Sequence, residues 1–244
     1  MEAHLSAEIS LLGMACDLIG GLYLAYDLLG GTKGPLSTLT RVVNYCLMMF
    51  LCFLFPLGIK FALIASIGLG TAFGLHVERV CRQQKETFLF LAAVGIVRAL
   101  AVALAIWLEG MHTVAIIAAP IILLASIILP RFNISPAAIF QNHGRPQLQK
   151  KQLIISAVLG GLTLFASLLG FGITGGAQST LNFALHFAVT FAFTTLLVTT
   201  LSPIVEWHAD NMPERRMGII GIALFMLGFV IQAIPSLVQI YDLQ

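Results

Sequence analysis

The chain has 244 residues, of which 59% are hydrophobic and only 10% charged, against about 25% charged in an ordinary soluble domain. So few charges cannot cover the surface of a water-soluble protein of this size, and a net charge of +2 gives no ground for a nucleic-acid or acidic partner. The composition reads as an all-α polytopic integral membrane helix bundle, with lipid facing most of its surface.

A membrane span needs about 20 apolar residues, because a helix rises about 1.5 Å per residue across a hydrocarbon core about 30 Å thick. Residues 1–10 hold Glu2 and Glu8 but no Lys or Arg, a poor start for a cleaved signal, so Ile9–Leu29 reads as a permanent first span. Val42–Ile59 and Phe61–Val77 follow, both short, divided by Pro56-Leu57-Gly58-Ile59-Lys60. They are too long together for one span, and Pro56 removes a helical hydrogen bond. They form either two short spans or a re-entrant hairpin. Phe88–Leu108, Thr113–Leu129, Gln152–Ile173, Thr180–Ile204 and Met217–Ile240 complete a list of about eight.

Basic residues orient the bundle. With sides alternating, one side receives Lys33, Arg41, Arg79, Arg82, Lys85, Arg131, Arg145, Lys150, Lys151, Arg215 and Arg216, and the other only Lys60. Cytoplasmic loops carry the excess of Lys and Arg. Both termini are therefore expected outside a cell membrane, with the basic loops cytoplasmic. Trp107, Trp207, Tyr23 and Tyr26 fall near span ends, where amphipathic rings favour the headgroup level. The longest loop, Pro130 to Lys151, reads as a topological, phospholipid-contacting segment. Its Asn133-Ile134-Ser135 sequon is discounted, because Pro136 follows it and it lies inside.

The even span count admits a weak duplication of residues 1–110 and 111–244 within one transmembrane domain. Gly70 and Gly74, and Gly13, Asp17 and Gly21, stand at four-residue steps, a spacing that lets helices approach closely.

Polar groups inside spans mark the candidate site. Counted along the helices at 1.5 Å per residue, Asp17 lies roughly 12 Å deep, Arg98 roughly 15 Å, His186 roughly 9 Å and Gln232 roughly 12 Å. Four helices thus place their most polar mid-span residue in one layer of the outer half. Burying a charge there is costly, so such residues face the interior and find partners. An Asp17–Arg98 ion pair is expected, direct or joined through His186, Gln232 or one water. Two readings compete for the layer: structural glue between helices, or a pathway for a small solute, ion or proton. Asn182, His186, Thr190 and Thr194 form a four-residue stripe. The threonines read as packing, whereas Asn182 and His186 are expected to face something polar. Lys60, at the broken pair of spans, is either part of a transport site or a lysine snorkelling to the headgroups.

Cys16, Cys46, Cys52 and Cys81 lack C-x-x-C spacing, so neither zinc nor a disulfide framework is indicated. Glu206, His208 and Asp210 match no metal-ligand spacing and read as a solvated loop. No phosphate loop, nucleophile elbow or paired-histidine motif appears, so an enzyme is the least supported class, and no cofactor is expected. The first expectation is a small-solute or ion transporter or channel. The alternative is a non-catalytic membrane subunit or scaffold whose polar residues only fix packing. Membrane lipids are the expected partners, with a small solute or ion for the first reading, and a homo-oligomer or larger membrane complex is compatible with either. No nucleic-acid partner is expected.

Overall fold

The computed structural model describes residues 3–29, 31, 34–132, 154, 157–158, 160–165, 168–169, 178–210 and 216–242. Among these the architecture is all-helical, without strands. In chain order come α1 (Ala3–Leu28), α2 (Ser37–Cys81), α3 (Phe88–Leu108), α4 (His112–Ile128) with a 3-10 turn at Leu129–Phe132, α5 (Gln178–Asp210) and α6 (Arg216–Asp242). The residues described between 154 and 169 are helical as well. Four stretches are long and apolar enough to cross a membrane: Ile9–Leu28, Ser37–Cys81, Phe88–Leu108 and Arg216–Val238. Their outward side chains include Leu18, Phe55 and Leu89, each more than three-quarters exposed. Such surface is unfavourable in water by about 25 cal/mol per Å² and suits hydrocarbon instead.

The doubtful second and third spans resolve into a helical hairpin within α2. Gly58 adopts φ 80° and ψ 167°, a region essentially open only to glycine. With Pro56 lacking an amide hydrogen in the turn before it, the helix breaks and residues 59–81 return along residues 41–57. The two arms pack antiparallel through Phe53–Phe61 (5.8 Å between ring centroids) and Tyr45–Phe73 (4.8 Å). Gly70 faces the backbone of Cys46, and a Cβ on Gly74 would lie 2.8 Å from the Val42 Cα. Both glycines therefore permit the close approach of the arms. A single unbroken helix through residues 42–77 is ruled out.

Residues 41–207 form one compact unit. Phe61 stacks edge-on against Phe187 at 5.3 Å, and Phe53 packs on Phe191 at 5.5 Å, which joins the hairpin to α5. Gly68 accommodates the Ala101 methyl of α3, and Gly95 of α3 accommodates Ser126 and Leu123 of α4. Two similar turns link these helices. After α2, the Gln84 amide bonds back to the Arg79 carbonyl (2.9 Å), with Gln83 at φ 54°. After α3, the Met111 amide bonds back to the Ile106 carbonyl (3.3 Å), with Gly110 at φ 82°. Each closes its helix with a six-to-one bond around a left-handed residue. Thr87 caps the start of α3 by accepting from the Phe90 amide at 3.4 Å.

Residues 1–40 and 208–244 form the second unit, built on the antiparallel pair α1 and α6. Gly13 and Gly20 of α1 meet Gly228 and Gly221 of α6. A Cβ on Gly20 would stand 2.6 Å from the Gly221 carbonyl oxygen, and one on Gly13 would stand 2.8 Å from that of Gly228. Here the expected stripe through Gly21 is corrected, since a Cβ on Gly21 meets nothing within 4 Å. Seven residues return a helix to within about 20° of the same face, whereas eight carry it about 80° away. The seam therefore follows Gly13 and Gly20.

The seventh apolar stretch also runs further than expected, because α5 continues to Asp210. Glu206, His208 and Asp210 belong to a helix end rather than a loop. The long loop carrying Arg145, Lys150 and Lys151 lies outside the described residues, as do Lys33 and Arg215.

Candidate functional site in the α1–α6 seam

Asp17 sits at mid-length of α1, on the face turned to α6. The side-chain amide of Gln232 donates to its Oδ2. Glycines on both helices make room for this polar pair. A Cβ on Gly228 would strike Asp17 Oδ1, and one on Gly13 would lie 2.6 Å from Gln232 Cγ. The same small residues that bring the backbones together therefore open the space in which carboxylate and amide meet. Asp17 Oδ1 is buried and has no hydrogen-bond partner among the described residues. An amide offers a carboxylate a neutral donor but no counter-charge. The second oxygen is left without a donor among the described residues.

The other candidate residues are held in the 41–207 unit. His186 of α5 donates from Nε2 to the Pro56 carbonyl at 2.9 Å. A helix break leaves the carbonyls of the preceding turn short of their usual donors, and His186 supplies one of them. Along the same stripe Thr190 and Thr194 are buried, whereas Asn182 and His186 are exposed. Lys60 is exposed, two residues past the break. Arg98 lies at mid-length of α3, and its charge is felt by both His76 and Glu86. A long side chain on a helix leans toward the N-terminus, which carries the guanidinium of Arg98 toward that end of α3.

Of the expected polar layer, the structure brings together Asp17 and Gln232. The proposed Asp17–Arg98 pair joins residues of two separate units. Within its own unit Asp17 is met by Gln232, and within its own Arg98 is drawn electrostatically to Glu86.

Sequence reasoning did not single out a second group, at the open end of the α2 hairpin. Glu78 is buried and pairs with Arg41 of the first arm, and also with Arg82 Nε at 2.5 Å. His76, 1% exposed, donates from Nδ1 to Glu86 at 2.9 Å, and its Nε2 is buried without a partner among the described residues. Hairpin pairing was the missing signal. Once residues 53 and 61 are apposed, Arg41 and Glu78 fall opposite each other.

No cluster of three or more potential metal ligands occurs among the described residues. An apolar groove of about 270 Å³ lies between residues 157–164 and α5, against Leu164, Leu185 and Val189. Comparison of the chain with protein-family models, with curated proteins and with solved structures finds no match.

Proposed function

We propose that this protein is a multi-pass membrane transporter or channel for a small solute or ion, with Asp17 as its ion-handling group. One observation carries the reading: a carboxylate at mid-span whose second oxygen is buried without a donor among the described residues. Ionisable side chains at that depth are costly and are found along proton and ion pathways. In this reading α1, the two arms of α2, α3, α4, the expected span Gln152–Ile173, α5 and α6 make eight crossings. Both termini lie outside a cell membrane and the basic loops lie in the cytoplasm, in keeping with the eleven-to-one distribution of Lys and Arg.

A second reading, a non-catalytic membrane subunit, is favoured by a different observation. Gln232 and His186 each hydrogen-bond a group on another helix, as residues fixing helix register would. Flux separates the two. Purified protein in liposomes loaded with a pH-sensitive or a sodium-sensitive dye, under an imposed potassium diffusion potential, is expected to pass protons or sodium. Asp17→Asn should abolish that flux while the variant still folds. Wild-type flux equal to that of empty liposomes, or full flux in Asp17→Asn, would overturn the transport reading.

A further inference from the structure

The charged group at the open end of the α2 hairpin has no part in the proposed pathway, and its composition is unbalanced. Arg41, Arg79, Arg82 and Lys85 stand against Glu78 and Glu86, a surplus of two positive charges. Both carboxylates are engaged, Glu78 with Arg41 and Arg82, and Glu86 with His76. Besides Arg41, two of the cations are held in place. Arg82 is gripped through Nε by Glu78 yet keeps 53% of its side chain exposed. Arg79 donates to the Lys85 carbonyl at 3.1 Å and lies 3.9 Å over the Phe90 ring. Lys85 is exposed on the turn itself. Immediately after this turn come Phe88, 62% exposed, and Leu89, 81% exposed.

Positive charge and bare apolar surface within one helical turn define a depth. The rings and methyls of Phe88 and Leu89 favour hydrocarbon, and the cations favour water or an anion, so the boundary between the two runs through residues 85–88. At that boundary the abundant anion is a phospholipid headgroup. We propose that the α2–α3 turn is a binding site for an anionic phospholipid, its headgroup phosphate held by Arg79, Arg82 and Lys85, beside the apolar surface of Phe88 and Leu89. Cations already fixed by Glu78 and Phe90 lose little freedom on binding. A zwitterionic lipid carries the same phosphate together with an ammonium group that the surplus charge repels. The inference needs the chain to be embedded in a membrane but does not depend on transport.

Native mass spectrometry of the detergent-solubilised full-length chain tests it, with phosphatidylglycerol, phosphatidylcholine of matched acyl chains, and inorganic phosphate as probes. Phosphatidylglycerol should be retained in preference to phosphatidylcholine, and excess phosphate should not displace it. Lys85→Gln should weaken retention about fivefold, and Arg79→Gln with Lys85→Gln about 25-fold. Lys85→Arg should retain the lipid. The single Lys85 substitutions, on an exposed turn, keep the test readable if loss of Arg79 disturbs folding. Equal retention of the two lipids, or unchanged retention in Lys85→Gln, would refute the site. Displacement by inorganic phosphate would reassign it to a free anion.

Discussion

The side-chain amide of Gln232 on α6 donates to Asp17 on α1, across a seam where the facing residues are glycines. Removing the donor leaves a carboxylate with neither oxygen partnered, so Gln232→Ala should destabilise the protein by about 1–3 kcal/mol. Asp17→Ala removes the group in need of a partner and should cost less. The double variant should be more stable than the sum of the single losses predicts, by about 0.5–3 kcal/mol. Unfolding midpoints in detergent for the four members of the cycle measure this, and strict additivity would show that the pair carries no coupling.

Two adjacent glycines of α1 should respond in opposite ways. A Cβ at Gly20 would stand 2.6 Å from both the Gly221 oxygen and the Phe225 amide nitrogen, and backbone cannot move aside as a flexible side chain can. Gly20→Ala should therefore cost about 1–3 kcal/mol by overpacking. Gly21→Ala meets open space and should be neutral or stabilising by about 0.5–1 kcal/mol, through helix propensity alone. Thermal midpoints decide the point. Equal losses in the two variants would mean that the seam does not run through Gly20.

His186 caps a carbonyl at the hairpin break, so its contribution should be that of one hydrogen bond. His186→Ala should cost about 0.5–1.5 kcal/mol, while His186→Gln, which keeps an N–H donor, should recover much of the loss. Greater accessibility of a reporter cysteine at Lys60 in His186→Ala would place the effect at the break. Identical unfolding midpoints for wild type and His186→Ala would show that the bond to Pro56 adds nothing.

The proposed orientation is tested by labelling. In a variant lacking Cys16, Cys46, Cys52 and Cys81, single cysteines at Thr32, Gln83, Asn142 and Asn211 should react with an impermeant reagent only after the membrane is opened. A cysteine at Lys60 should react in intact cells. Labelling of position 83 from outside would reverse the topology, because the open end of the hairpin would then face the exterior.

Among the described residues the apolar run lengths were sufficient to find the helices, and Pro56 and Gly58 marked the hairpin, because chain reversal needs residues with special backbone freedom. Equal depth was enough to place Asp17 and Gln232 in one layer. Their direct contact was not legible, because helix order around a bundle leaves no trace in the spacing of residues along any one helix. The seam was misread at Gly21 for a related reason: a four-residue step drifts about 40° around the helix per step, and two such steps leave the face. Glu78 escaped notice as the centre of an ion-pair group because it looks like one more charge at a span end. Only the antiparallel register, which sets Arg41 opposite it, shows that it is buried.

The partnership of α1 with α6 also has a consequence for biosynthesis. Asp17 emerges from the ribosome 215 residues before Gln232, an interval of about 10–40 s at about 5–20 residues per second. Throughout that time the first helix must be accommodated with an unpartnered carboxylate, facing lipid, the insertion machinery or one of the helices made before α6. A chain stopped before α6 would hold Asp17 in that state permanently, a ready signal by which membrane quality control could tell an unfinished protein from a complete one.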